Sequence, residues 1–77
     1  MTEILSPLPG TFYQKPAPDK PPFKSHDDAV AIGDVIGLIE VMKSFIEVQA
    51  DVAGKFVRFL ADNEAPVMAG DPLAEVA

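Results

Sequence analysis

The chain repeats itself. Val30-Ala31-Ile32-Gly33-Asp34-Val35-Ile36 aligns with Val67-Met68-Ala69-Gly70-Asp71-Pro72-Leu73 at an offset of 37 residues. Upstream, Leu8-Pro9-Gly10-Thr11-Phe12 aligns with Val52-Ala53-Gly54-Lys55-Phe56 at an offset of 44. A duplication constrains the fold more than any local propensity, because each half must bury its apolar face against an equivalent surface. Two copies make a fused pseudo-dimer and not a solenoid. The offsets differ by seven, so the first copy holds seven extra residues within Gln14 to Lys24, a stretch with four of the eight prolines.

With 77 residues the chain reads as one domain with a thin core. Strand signals fall at Gly10 to Tyr13, Val35 to Val41, Ser44 to Ala50, Gly54 to Leu60 and Pro72 to Val76, with turn residues between them. Ile46, Val48 and Ala50 alternate with Phe45, Glu47 and Gln49, the period of a half-buried strand. A helix over Asp34 to Ala53 competes, since Glu, Met, Lys and Ala favour helices. Gly33, Gly37 and the β-branched Val35, Ile36, Ile39, Val41, Ile46 and Val48 outweigh it. The expected class is all-β, a sandwich or small barrel. Gly33 and Gly70 are expected at equivalent turns of positive φ, each followed by an aspartate able to bond back to the backbone.

Several chemistries are disfavoured. No cysteine is present, so disulfides and thiolate metal sites are ruled out. His26 stands alone beside Asp27 and Asp28, which reads as a solvated loop and not a metal site. Ser6, Ser25 and Ser44 have no base nearby in sequence, and adjacent carboxylates on a loop make a poor general acid/base pair. A non-catalytic protein is expected. Net charge −6 argues against a nucleic-acid backbone as partner, and no apolar run approaches a membrane span. Met1-Thr2-Glu3 followed by prolines does not resemble a signal peptide, so the expected compartment is cytoplasmic.

Lys43, in Glu40-Val41-Met42-Lys43-Ser44, lies between the copies. A lysine there belongs on an exposed hairpin, where its amine can be modified and swung between other proteins' active sites. The sequence around it resembles a known family. Glu40-Val41-Met42-Lys43 is similar to the Glu-Ala-Met-Lys biotinylation motif of biotin carboxyl carrier proteins. Ser6-Pro7-Leu8-Pro9-Gly10-Thr11-Phe12-Tyr13 resembles their Ser-Pro-x-x-Gly-Thr-Phe-Tyr stretch. Pro16-Ala17-Pro18-Asp19 is similar to the Pro-Ser-Pro-Asp of the protruding thumb in carriers of the acetyl-CoA carboxylase type. The thumb, about residues 13–23, coincides with the extra residues of the first copy.

The resemblance covers Ser6 to Val76. It implies a flattened barrel-sandwich of two four-stranded antiparallel sheets with pseudo-two-fold symmetry, with the modified lysine on a tight hairpin. It implies covalent biotin on Lys43, with Glu40, Val41, Met42 and Ser44 forming the surface that a biotin protein ligase reads. A biotin carboxylase subunit would load the carrier and a carboxyltransferase subunit would unload it. Val41 and Ser44 stand where the family usually has Ala and Met. Lys15 stands where the thumb usually has a Ser or Thr hydroxyl to hydrogen-bond the biotin ring. Asp27 and Glu64 replace two turn glycines, and Asp27 and Asn63 are the residues suited to left-handed geometry there. Lipoyl domains share the barrel and hairpin lysine but typically place Asp before it and lack the thumb. An unmodified scaffold or adaptor domain is the third reading. Carriers of that type generally have an additional N-terminal segment, so the chain reads as a short carrier or as the domain of a longer one.

Overall fold

The computed structural model describes residues 1–77, and none of them is helical. The contested stretch after Asp34 forms two strands, because its β-branched residues pack well on a pleated surface. Eight strands follow in order: β1 Thr2–Leu5, β2 Gly10–Tyr13, β3 Ala29–Val30, β4 Val35–Val41, β5 Ser44–Gln49, β6 Gly54–Phe59, β7 Ala65–Val67 and β8 Pro72–Val76. They make two four-stranded sheets, ordered β1-β8-β6-β3 and β5-β4-β2-β7. All pairings are antiparallel. The five expected strands are present, β5 and β6 each ending one residue early. Strands β1, β3 and β7 were not placed from the residue pattern, although the resemblance implied eight strands in all. All three are sheet edges of two to four residues, paired with a neighbour on one side only. Strand β7 also contains Pro66, which an edge strand tolerates because no ladder bond needs its missing N–H.

The offsets of 37 and 44 convert one sheet into the other: β1 corresponds to β5, β2 to β6, β3 to β7 and β4 to β8. The core obeys the same relation. Phe12 and Phe56, Ile36 and Leu73, Val30 and Val67, and Ile4 and Val48 are matched pairs, every member 5% exposed or less. Gly33 and Gly70 turn at φ 94° and 89°, and their N–H groups donate to Ala50 and Ser6 carbonyls, both at 2.8 Å. Each turn is thereby tied to a strand end of the other half. Asp34 accepts from the Ala31 N–H at 2.9 Å and Asp71 from the Met68 N–H at 2.8 Å, so both aspartates close their turns as expected.

Two expectations are corrected. Ile46 is 41% exposed although it shares the inward face of β5 with buried Val48, because the inner side of this edge strand runs out of core toward its hairpin end. The second left-handed turn position falls on Glu64 (φ 64°) and not on Asn63. The Glu64 N–H must reach the Phe12 carbonyl at 2.7 Å, leaving Asn63 to accept the Gln14 N–H through its side chain, also at 2.7 Å. Asp27 takes the counterpart position (φ 72°) and donates to Phe56 at 2.8 Å.

The extra residues project between Tyr13 and Lys24 without forming a strand. Gln14 anchors their root: its Nε2 donates to the Ala61 carbonyl at 2.8 Å, and its carbonyl accepts from the Phe23 N–H at 2.9 Å. Lys24 closes the far side, its Nζ reaching the Ala29 carbonyl at 2.9 Å and Asp34 Oδ2 at 3.1 Å. Between these anchors, four prolines stiffen the backbone.

Candidate lysine hairpin and thumb cleft

Strands β4 and β5 pair from Val35↔Gln49 up to Val41↔Ser44, leaving Met42 and Lys43 as a two-residue loop. Both have positive φ, 49° and 69°. A two-residue hairpin needs this of both central residues when its turn matches the right-handed twist of its strands. Asn-Gly satisfies it without strain. Met-Lys costs about 1 kcal/mol or more per residue, and strain of this kind concentrates where function over-determines conformation.

Alternation along β4 decides where the motif residues point. Val41 packs against the core, while Glu40 faces the outer side. Met42 is 92% exposed, and Lys43 and Ser44 are exposed with it. The core side of the hairpin base is tight, since a Cβ on Gly10 would sit 2.6 Å from the Glu40 carbonyl and 2.9 Å from Val41 Cγ2. The hairpin thus stands on a packed base and presents its lysine to solvent.

On the outer face, the thumb folds over β2 and β4 and encloses a cleft of about 260 Å³. The thumb contributes Lys15, Pro16, Ala17 and Pro18, and the hairpin arms contribute Leu38, Glu40 and Phe45. Tyr13 lies between them, and Asn63 and Glu64 close the far edge. The Tyr13 hydroxyl donates to Glu40 Oε1 at 2.9 Å, and its ring lies 5.8 Å from that of Phe45, tilted by 58°. The bond to Glu40 raises the Tyr13 phenol above its usual range, with partial desolvation and the negative charges of Glu40 and Glu64 adding to the effect.

Of the residues singled out from sequence, Glu40 and Lys15 meet at this cleft, and Met42, Lys43 and Ser44 form the exposed tip. Val41 belongs to the base. Tyr13, Leu38, Phe45, Asn63 and Glu64 were not expected at the site. Their meeting depends on strand register, which the order of residues does not spell out. His26 is remote from this arrangement in the bonding pattern: its Nδ1 pairs with the Val57 carbonyl at 2.9 Å, and its Nε2 lies 3.5 Å from Asp27. No group of three potential ligands is arranged to hold a metal ion. The Ser6 hydroxyl donates to the Leu8 carbonyl at 2.7 Å, a structural bond.

A barrel of two interlocked half-copies that displays a lysine on a two-residue hairpin defines a class of attachment domain. The family model described as "Biotin-requiring enzyme" matches residues 2–76, and the chain belongs to this biotin/lipoyl family. It is 37% identical over 76 residues to the biotin carboxyl carrier protein of acetyl-CoA carboxylase from Nostoc sp., covering 99% of this chain and 42% of that one. It is 40% identical over 74 residues to the protein of the same name from Chlamydia pneumoniae, covering 96% and 44%. It is 39% identical over 74 residues to a chloroplastic counterpart from Arabidopsis thaliana, covering 96% and 29%. The chain therefore spans less than half the length of each of these three relatives.

Proposed function

We propose that residues 1–77 form a single biotin carboxyl carrier domain, with biotin joined as an amide to the Lys43 Nζ. The observation that carries this reading is the placement of Lys43 on an exposed, strained two-residue hairpin, in a chain 37–40% identical to such carriers over nearly its whole length. The residues present fit the group. The amine is open to solvent, and the neighbouring cleft offers an apolar wall of Pro16, Pro18 and Leu38 beside polar groups on Lys15 and Asn63. Biotin supplies a ureido nitrogen able to carry a carboxyl group; the chain supplies position.

Each residue then has a distinct task. Lys43 holds the tether, and its side chain lengthens the reach over which transfer is local and not bimolecular. Met42 and Ser44 flank the amine and, with Glu40 and Val41, define the surface a biotin protein ligase recognises. The thumb shields one side of the ring when the arm folds back. Lys15, in place of a hydroxyl, holds a neutral ureido oxygen weakly, because its ammonium is strongly hydrated. The domain itself is non-catalytic. A biotin carboxylase and a carboxyltransferase, of acetyl-CoA carboxylase type, are the partners that load and unload it. Acidic net charge suits docking on basic surfaces of such partners. A cytoplasmic location accompanies this reading; no helix of the chain is long and apolar enough to cross a membrane.

Intact mass after co-expression with a biotin ligase tests the proposal. The expected result is one biotinyl increment, located on Lys43 and absent from Lys15, Lys20, Lys24 and Lys55. Lys43→Arg preserves charge and should abolish streptavidin binding. A lipoyl increment would favour a lipoyl-type carrier, and an unmodified chain would favour a scaffold domain.

A further inference from the structure

The pseudo-symmetry separates what builds the barrel from what is found in one sheet alone. The counterpart of Tyr13 is Val57, that of Glu40 is Ala77 and that of Phe45 is Met1, by the same offsets of 44 and 37. The three counterparts provide neither a hydroxyl–carboxylate bond nor a pair of rings. The core beside them is nevertheless matched, with Phe12 answering Phe56 and Ile39 answering Val76, all 2% exposed or less. The matching sheet therefore closes without tyrosine, glutamate and phenylalanine at these positions. Their presence only in the sheet whose hairpin carries the lysine calls for a reason outside the fold.

Geometry supplies one. Glu40 precedes Lys43 by three residues on β4, and Phe45 follows it by two on β5. Directly opposed in the ladder, the two share the outer face of the hairpin. Tyr13 grips both, Glu40 through the 2.9 Å hydrogen bond and Phe45 through the ring contact at 5.8 Å. Of the Glu40 carboxylate, Oε1 is held by the tyrosine, while Oε2 has no hydrogen-bond partner within the chain. Phe45 remains 58% exposed, so its ring keeps a contact surface while its orientation is fixed.

We propose that Tyr13 is a positioning residue for modification of Lys43, holding Glu40 and Phe45 in the form that a biotin-attaching enzyme reads. The proposal rests on Lys43 being the biotin attachment residue. The complementary surface on the enzyme pairs a basic side chain with Glu40 and an apolar contact with Phe45. Ordering both side chains before encounter removes part of the entropic cost of recognition. Loss of that order weakens binding of the chain to the enzyme and leaves the chemistry at the lysine amine unchanged.

Steady-state biotinylation by a biotin protein ligase, with the unmodified chain as varied substrate, tests this. Tyr13→Phe keeps the ring contact and loses the hydroxyl; it should raise KM roughly three- to tenfold and leave kcat within about twofold. Tyr13→Val, the residue of the other half, loses both and should raise KM further. In a Glu40→Ala background, Tyr13→Phe should have little added effect, since the carboxylate it orients is gone. Melting temperatures are recorded in parallel, and that of Tyr13→Phe should match wild type. Unchanged KM in both tyrosine variants overturns the proposal, as does an undiminished Tyr13→Phe effect without Glu40. A drop in rate that merely follows a drop in melting temperature overturns it too. A wild-type chain that accepts no biotin defeats the attachment reading itself, a different outcome from a well-modified chain indifferent to Tyr13.

Discussion

The Glu64 N–H donates to the Phe12 carbonyl at 2.7 Å from a backbone held at φ 64°. Asp27 does the same for Phe56 in the other half. Both turns need left-handed backbone, but the two residues suit it unequally. Asp tolerates that region through local hydrogen bonding, whereas Glu meets the ordinary Cβ penalty. Glu64→Gly should relieve roughly 1 kcal/mol of strain, offset in part by the greater freedom of glycine in the unfolded chain. Urea midpoints should show a small net gain for Glu64→Gly and a smaller one, or none, for Asp27→Gly.

Gly33 and Gly70 offer a sharper test of the pseudo-symmetry. Nothing lies within 4 Å of a Cβ built on either, so a side chain there meets no clash. The penalty comes from φ 94° and 89° alone. Gly33→Val and Gly70→Val should each lose about 1–3 kcal/mol. Ala31→Val, at an exposed position of the same turn, should lose less. Thermal unfolding of the three variants checks the order, and an Ala31→Val loss as large as those of both glycine variants would refute the turn assignment.

The thumb should be dispensable to the barrel. Gln14-Pro22-Phe23, with residues 15–21 removed, corresponds residue for residue to Arg58-Phe59-Leu60 of the second half. The shortened chain keeps Gln14 and its bonds to Ala61 and Asn63. Loop closure changes by well under 1 kcal/mol. Circular dichroism should show an unaltered strand content and cooperative melting; an unfolded chain would mean that the thumb is part of the core.

Within the intact thumb, Lys15→Thr should restore a hydroxyl at the edge of the cleft. NMR relaxation of the biotin ring should then report a less mobile group than in the wild-type carrier. A wild-type ring already as rigid as the backbone would contradict the weak hold assigned to Lys15.

Asp34 links the fold to pH. The Ala31 N–H, followed by Lys24, holds its carboxyl below the usual value. A depressed folded-state pKa contributes stability above the unfolded value, and that contribution is lost as pH falls through the folded one. Denaturant midpoints should therefore be level above about pH 5 and decline below about pH 4. Asp34→Asn should flatten part of that decline, and an identical acid profile in the variant would count against the assignment.

The sequence alone determined the duplication, strands β2, β4, β5, β6 and β8, the glycine–aspartate turns and the position of Lys43 between the halves. These are local or periodic properties. An offset, an alternation or a turn residue is present in the order of residues before any contact forms. The two-by-four sheet arrangement came with the family resemblance. Edge strands β1, β3 and β7 were not placed from the residue pattern because they exist by virtue of their neighbours' open bonds. Tertiary structure also decided that Glu64 and not Asn63 takes the left-handed turn, since the carbonyl of Phe12 had to be met. It decided the cleft as well. Tyr13, Glu40 and Phe45 are brought together by the register of three strands, and register arises only when both halves bury their apolar faces against each other.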